Sequence, residues 1–203
     1  MKRVVILFLL AFLTPFFAFT QTQDTFEKIS PFYEGLSAIK KGNQWAFINT
    51  KGAIIIGFRD DLVTTKTNDG VYPVFRNNRC LIVKEKEHIS YFGYIDTVGK
   101  TVIEPTFLNA ENFQNNVAIV LELKKEIAGY NNVIGKSIVY RTYSEVIINK
   151  KGEMIENLTA PKNIVLERKF LLKPPKITSK LLSEQLVAVL NKNKRWMLKR
   201  ITN

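Results

Sequence analysis

The chain has a single imidazole, His88, which is the first side chain to consider for metal binding or acid–base catalysis. It ends the run Lys-Glu-Lys-Glu-His at residues 84–88, where acidic side chains alternate with lysines. A metal site needs further ligands close by, and a catalytic triad needs a nucleophile motif around a serine or around Cys80. Because the sequence has neither, we expect a solvated hairpin end here, and we assign no metal ligand and no catalytic residue.

Other reactive side chains also favour structural interpretations. Asp60 and Asp61 follow the strand residue Phe58, a position more typical of a turn than of a catalytic carboxylate pair. Cys80 is the only cysteine, so no intramolecular disulfide can form, and its apolar surroundings predict a buried thiol. The sequence has no Gly-rich phosphate loop, so we assign no cofactor-binding residue and expect no cofactor.

One candidate binding site has a physical mechanism, and it is a basic cluster around Trp196. Its members lie within nine positions of one another: Lys192, Lys194, Arg195, Lys199 and Arg200. Such a patch attracts polyanions with a salt-dependent affinity. Outside the cytoplasm these would be anionic lipid headgroups, cell-wall polymers or extracellular DNA, although no specific nucleic-acid motif accompanies the charge. The alternative is a solvated face of the last hairpin.

Charge divides the chain unevenly. The formal net charge is +12, and residues 162–203 contribute eleven Lys or Arg and two Glu, whereas residues 21–161 are close to neutral. Pro161 and the pair Pro174-Pro175 separate the basic region from what precedes it. We therefore expect a β-repeat array over residues 21–160 and a basic C-terminal region over residues 161–203 that contains a terminal half-repeat.

The first twenty residues have the features of an export signal. Lys2 and Arg3 form a positive n-region, residues 4–13 are uninterrupted apolar, and a small-x-small pattern precedes Gln21. The apolar run is shorter than the roughly 20 residues of a membrane-spanning helix. We expect a signal helix over residues 1–20 that is cleaved near Thr20, which gives a periplasmic or secreted protein that meets the membrane only through this segment. A retained anchor is the alternative.

A four-residue turn recurs three times, with Asn or Asp first and Gly fourth. The paired positions are Asn49 and Gly52, Asp96 and Gly99, and Asn149 and Gly152. The first side chain can accept hydrogen bonds from backbone N–H groups, and glycine can adopt the positive φ of a bulged hairpin turn. Aromatic and β-branched residues flank each turn, so the sequence predicts three β-hairpins.

A second segment recurs upstream of each turn. Residues 32–39 are its fullest copy, and residues 75–82, 113–120 and 182–189 match the same frame. Asn78 and Asn116 stand where the first copy has Gly35, and Asn is the commonest non-glycine residue in left-handed backbone conformations.

Together these motifs resemble the WG (KWG) repeat, F-x-E-G-L-A-x-V followed by W-G-Y-I-D-x-x-G-x-x-V-I. The residues that carry the repeat structure are Gly35, Trp45, Asn49, Gly52, Phe92, Gly93, Asp96, Gly99, Asn149, Gly152 and Trp196. The copies are degenerate: Ala46 replaces the signature glycine in the first, Phe92 replaces the tryptophan in the second, and Glu145 takes that place in the third. We interpret the polar Glu145 as the mark of a third unit that is exposed on that side.

The resemblance implies an all-β fold of repeated antiparallel hairpins that forms an open or partly closed array, because single repeats cannot bury a face alone. Within the third unit, residues 121–144 read as an elongated hairpin with its turn at residues 129–132. In the fourth, residues 186–190 and 196–198 are expected to pair. Long insertions in repeat arrays often lie on a binding face, and a simple β-extension is the alternative.

These observations favour a non-enzymatic interaction or scaffold protein outside the cytoplasm, whose partner is another protein or a cell-envelope component. The alternative is a protein that binds polyanions or a membrane surface through the basic C-terminal region. An unrecognised hydrolase that uses His88 is a third hypothesis.

Overall fold

The structure, a computed structural model, describes residues 25–131 and 135–201. All secondary-structure elements in these ranges are β-strands, and every strand pairing is antiparallel. The predicted all-β fold is therefore confirmed. The expected signal helix lies outside the described residues, and none of the described residues forms a helix long and apolar enough to cross a membrane.

The described strands form four sheets and one small hairpin. The first sheet has the order β1 (Lys28–Ile29), β2 (Leu36–Lys41), β3 (Gln44–Asn49), β4 (Ile54–Arg59). A hairpin of β5 (Thr65–Thr67) and β6 (Gly70–Tyr72) follows. The second sheet contains β7 (Cys80–Lys86), β8 (Ile89–Ile95) and β9 (Thr101–Phe107).

The third sheet contains the longest strands. It has the order β10 (Val117–Asn131), β11 (Lys136–Asn149), β12 (Met154–Asn157), and β13 (Lys162–Ile164) also pairs with β11. The fourth sheet has the order β14 (Lys180–Ser183), β15 (Leu186–Leu190), β16 (Trp196–Arg200). The predicted pairing of the last two segments is therefore confirmed.

Four repeated units underlie these sheets. We call β2-β3-β4 unit 1, β7-β8-β9 unit 2 and β10-β11-β12 unit 3. Unit 4 is β15-β16, whose strands correspond to the first two strands of the others. In the described residues, unit 4 has no third strand beyond β16, so β16 is an edge strand where β3, β8 and β11 are interior strands.

The predicted Asn/Asp turns are confirmed. The Oδ1 atom of Asn49 accepts hydrogen bonds from the N–H groups of Lys51 and Ala53 at 2.9 and 3.0 Å, and Asp96 and Asn149 do the same in their units. The fourth residue of each turn has positive φ, and a register shift follows in the next strand. A bulged hairpin thus joins the second and third strands of each complete unit.

The opening turns also follow the prediction. Two successive residues with positive φ form each turn, and their second members are Gly35, Asn78 and Asn116 with φ of 80°, 61° and 65°. Consecutive positive φ values define the tight turn that suits the twist of a hairpin. Asparagine replaces glycine here because it tolerates this conformation better than other side chains with a Cβ.

The elongated hairpin is confirmed, but the predicted position of its turn is wrong. Strand β10 continues to Asn131 and pairs there with Lys136, the first residue of β11, so the predicted turn residues 129–131 belong to the strand. Gly129 lies inside β10, where the register shifts between Ile127 and Gly129. A glycine within a strand often marks a bulge rather than a turn, and this explains the error.

Each sheet has two faces, which we name by their direction along the chain. The forward face of a unit packs against the next unit, and the rear face packs against the preceding one. In unit 1 the forward face includes Leu36, Ala38, Trp45 and Phe47, which share a core with Cys80, Ile82 and Ile95 on the rear face of unit 2. Two further cores join units 2 and 3 and units 3 and 4.

Polar contacts hold neighbouring units in register. The carboxylate of Glu34 accepts hydrogen bonds from the N–H groups of Asn77 and Asn78 at 2.6 and 2.7 Å, so the opening turn of unit 1 grips that of unit 2. Asn77 Oδ1 in turn accepts from Asn116 N at 2.9 Å. Arg79 donates from Nη2 to the carbonyl of Lys150 at 2.9 Å, which links the opening turn of unit 2 to the Asn149 turn of unit 3.

Candidate functional site: the forward face of unit 4

Outside unit 4, the potentially reactive side chains occupy positions that favour a structural role. His88 lies in the tight turn between β7 and β8, is exposed, and its Nδ1 lies 3.3 Å from Glu85 Oε1. Asp61 forms a bidentate ion pair with Arg59 at 2.5 and 2.7 Å just after β4. The described part of the chain contains no group of three or more His, Cys, Asp or Glu residues placed to hold a metal ion.

The prediction of a buried thiol is confirmed. Cys80 has no exposed surface and belongs to the core between units 1 and 2. Burial raises the pKa of the thiol far above its ordinary value, although the positive charge of Arg59 opposes the shift. A thiol that stays protonated is a poor nucleophile, so its position favours a packing role.

The forward face has a recurring pattern of aromatic packing. Trp45 and Phe47 of unit 1 are 7% and 1% exposed, and Phe75 from the opening segment of unit 2 packs on Phe47 with ring centroids 4.8 Å apart. Tyr94 of unit 2 takes the place of Phe47 and meets Phe113 from unit 3, again at 4.8 Å. Both pairs are edge-on, the arrangement that aromatic rings favour.

In unit 3 the tryptophan position of the forward face is covered in a different way, and our interpretation of Glu145 is wrong. Glu145 is 1% exposed, and its carboxylate accepts hydrogen bonds from the N–H and hydroxyl of Thr178 and from the N–H of Ser179, at 2.7–3.0 Å. Burial alone would raise the pKa of Glu145, but these hydrogen bonds outweigh it and the pKa lies below its ordinary value. The polar residue thus anchors the segment that leads into unit 4.

The forward face of unit 4 is exposed. Register pairs Leu190 with Trp196 and Ala188 with Leu198, as Lys40 pairs with Trp45 and Ala38 with Phe47 in unit 1. Trp196 is 51% exposed and Leu198 is 66% exposed, whereas the opposite face of the same hairpin buries Val187 and Val189 against unit 3. The apolar surface that each earlier unit buries is therefore open here.

Basic side chains lie at the border of this open face. Lys180 of β14 places its Nζ 5.1 Å from the centroid of the Trp196 ring, within the range of a cation–π contact. Arg200 follows Leu198 by two residues on β16, so both point to the same side of the sheet, and Arg200 is exposed. Leu182, 51% exposed, adds apolar surface from β14.

The structure separates the five predicted polyanion-binding residues. Lys192, Lys194 and Arg195 are exposed together on the turn between β15 and β16. Arg200 is exposed at the other end of β16. Lys199 points toward unit 3, where its Nζ lies 3.5 Å from Glu156 Oε1 and donates to the carbonyl of Asn157 at 2.9 Å. The turn residues thus form a cluster, and Lys199 belongs to an inter-unit contact.

Comparison with protein families identifies the repeat. The WG containing repeat matches residues 25–45, which open unit 1, and residues 92–125, which span the second half of unit 2 and the start of unit 3. The chain contains WG repeats. No curated protein and no solved structure matches it.

The signature glycine of the WG repeat has a steric role in unit 2. A Cβ built on Gly93 would lie 2.4 Å from the Ile103 carbonyl oxygen and 2.7 Å from the Pro105 nitrogen. Strand β9 bulges over this position, because residues 103 and 107 pair with residues 94 and 92. In unit 1 the corresponding residues of β4 are 56 and 59, so its bulge is one residue shorter, which gives a reason why Ala46 is tolerated there.

The sequence predicted the hairpin across residues 191–195, but it predicted neither the hydrogen bonding of that turn nor the exposed face. The alignment of Trp196 with Trp45 and of Leu198 with Phe47 could have defined a forward face in unit 4. Asn191 Oδ1 accepts hydrogen bonds from Asn193 and Arg195, both at 2.9 Å, which is the geometry of the other Asn/Asp turns. Its fourth residue is Lys194 with φ of 57° rather than glycine, so the glycine pattern did not find it.

Proposed function

We propose that the protein is a non-enzymatic interaction scaffold that works outside the cytoplasm, and that its WG repeats form an open array. One observation carries the proposal: the apolar face that packs against the following unit in units 1, 2 and 3 is exposed in unit 4. Large exposed apolar patches on soluble domains are typical of interaction sites. The exposure of Trp196 and Leu198 supports such a role, since aromatic anchors often dominate interfaces.

The connections between units support the open form of the array. Each core layer joins consecutive units. Hydrogen bonds likewise join the opening turn of unit 1 to that of unit 2, and that of unit 2 to that of unit 3. The location outside the cytoplasm rests on the charged, apolar and small-residue pattern of residues 1–20. Cell fractionation and N-terminal sequencing of the purified protein test it, with Gln21 expected as the first residue.

The function is tested by chemical crosslinking in the native cells. We expect a stable complex of defined composition around the protein, recovered with an affinity tag and identified by mass spectrometry. The same tag on an unrelated exported protein provides the control. Recovery of the protein as an uncomplexed monomer under all crosslinking conditions would contradict the proposal.

A second candidate function is binding to polyanions or to an anionic membrane surface. The cluster of Lys192, Lys194 and Arg195 supports it, because all three side chains are exposed on one turn. A cleft of about 280 Å³ lies beside this turn, and its lining includes Lys162 and Lys192. Such binding would weaken as salt increases.

Retention on heparin and on phosphatidylglycerol vesicles at low and high salt tests this candidate. Neutralising the three turn residues should abolish retention at low salt. A matched control neutralises three exposed lysines on the turns of units 1, 2 and 3, namely Lys51, Lys100 and Lys151. Equal retention of both variants would contradict a site at the unit 4 turn.

A further inference from the structure

The internal interfaces show what kind of surface covers a forward face. In units 1 and 2 the cover is the rear face of another β-sheet, together with an aromatic ring from its opening segment. Phe75 packs edge-on against Phe47 of unit 1, and Phe113 packs edge-on against its counterpart Tyr94 of unit 2. The cover is therefore a protein β-sheet with an aromatic side chain at a fixed place.

Unit 4 presents the same surface without a cover. Leu198 occupies the place of Phe47 and Tyr94, and Trp196 occupies the place of Trp45. Both are more than half exposed, while their counterparts are almost fully buried. The hairpin that carries them is fixed from behind by its core with unit 3, so the surface is preorganised for docking.

The basic side chains at the border of the surface restrict the charge of a partner. Lys180 and Arg200 lie beside Trp196 and Leu198, and neither takes part in an ion pair with any side chain in residues 25–131 or 135–201. A partner that approaches this face meets positive charge at its border. Acidic groups at the matching positions would steer it and fix its orientation.

A second copy of the chain fits poorly. Two unit 4 faces brought together would bring the positive charges of Lys180 and Arg200 from both copies into one interface, and like charges in an interface are unfavourable. A head-to-tail contact would need the rear face of unit 1, but Ser37, Ile39 and Ala46 on that face have no exposed surface. The geometry therefore favours a different protein.

We propose that the forward face of unit 4 binds a partner protein whose β-sheet surface covers Trp196 and Leu198, with an aromatic side chain on Leu198 and acidic side chains facing Lys180 and Arg200. This inference rests on the proposed scaffold function and specifies its surface and partner. The partner occupies the place that the next unit occupies on units 1, 2 and 3.

Site-specific photo-crosslinking of the full chain in its native cells tests the proposal. The photoreactive residue p-benzoylphenylalanine replaces Leu198 in one variant. It replaces Val98 or Ile127 in two controls, which are 70% and 69% exposed and lie on the unit 2 turn and the long hairpin. We expect one protein to be captured from position 198 and not from the control positions, with the crosslink mapped to a β-strand of that protein.

Charge and affinity then distinguish a specific partner from an accidental neighbour. The double change Lys180→Glu, Arg200→Glu should abolish the crosslink from position 198, whereas Lys84→Glu, Lys86→Glu on β7 should leave it unchanged. With the purified partner, Trp196→Ala should weaken binding at least about tenfold, as expected for an aromatic anchor. Thermal unfolding of each variant verifies that the fold is intact.

The alternative outcomes separate this inference from the function on which it rests. A partner captured only from position 98 or 127 would overturn the surface assignment and leave the scaffold function standing. Capture of a second copy from position 198 would overturn the choice of partner. Capture of no protein from any position, combined with Trp196-dependent binding to phosphatidylglycerol vesicles, would overturn both and favour a membrane-surface role.

Discussion

Units 1 and 4 place the same side chains on the same strands and give them opposite surroundings. Trp45 begins the forward face of unit 1 and is 7% exposed, while Trp196 begins that of unit 4 and is 51% exposed. The pairings of their strands are equivalent, because each tryptophan lies opposite the last or penultimate residue of the preceding strand. The difference lies in the neighbour: unit 2 covers Trp45, and no described residue covers Trp196 to that extent.

A repeat motif therefore encodes a face, and stacking decides whether that face is core or surface. In a stacked array each unit contributes half of an interface. An apolar face therefore serves stability where a neighbouring unit covers it, and it is available for binding where it is exposed. In unit 3, Glu145 stands at the tryptophan position and accepts hydrogen bonds from Thr178 and Ser179, in the segment that leads into unit 4.

The largest difference is expected from truncating the two tryptophans. Trp45→Ala removes a nearly buried ring from the core between units 1 and 2 and should cost about 3–5 kcal/mol of unfolding free energy. Trp196→Ala removes a half-exposed ring and should cost less than about 1 kcal/mol. Urea denaturation of both variants measures the two values. Equal losses of unfolding free energy in the two variants would contradict the burial of Trp45 and the exposure of Trp196.

A smaller effect is expected at Glu145, which stands in unit 3 at the position that tryptophan occupies in units 1 and 4. Glu145→Ala should cost about 3 kcal/mol, because the buried donors of Thr178 and Ser179 lose their acceptor. The pKa of Glu145 is lowered in the folded state, so its contribution is complete above the unfolded-state pKa and is lost as the pH falls through the folded-state value.

The pH dependence is measured by comparing wild type with Glu145→Gln at neutral pH and at about pH 3. The wild type should lose more stability on acidification than the Gln variant, because the amide side chain does not titrate. The two curves should converge at acid pH. Parallel curves would show that the Glu145 carboxylate has the same pKa in both states.

The smallest of the three effects concerns the signature glycine. Gly93→Ala places a Cβ against the backbone of residues 103–105 and should cost about 2 kcal/mol. The reverse exchange in unit 1, Ala46→Gly, should cost about 1 kcal/mol through chain entropy and lost packing. Thermal unfolding measures both, and a Gly93→Ala protein as stable as wild type would exclude a close approach of β9.

Features that depend on neighbouring residues could be predicted from the sequence. The turns that begin at Asn49, Asp96 and Asn149 close through hydrogen bonds within four residues, so composition alone is informative. The left-handed residues Asn78 and Asn116 were predictable for the same reason. Local chemistry also gave the hairpins and the buried thiol of Cys80.

Features that depend on distant residues could not be predicted. The partners of Glu145 lie 33 and 34 positions later, in a segment without a repeat pattern, so a buried carboxylate looked like an exposed one. Lys199 resembled the other basic residues, but its contact with Glu156 requires the packing of unit 4 on unit 3. The open face likewise depends on what stacks on it, which no single motif records.

The most direct test of an open forward face uses the two tryptophans, the only ones in the chain. Trp45→Phe and Trp196→Phe leave one indole each, and acrylamide quenching of fluorescence measures its access to solvent. We expect Trp196 to be readily quenched in the isolated protein and shielded when the partner binds, and Trp45 to be shielded throughout. Equal shielding of both indoles in the isolated protein would contradict an open forward face on unit 4.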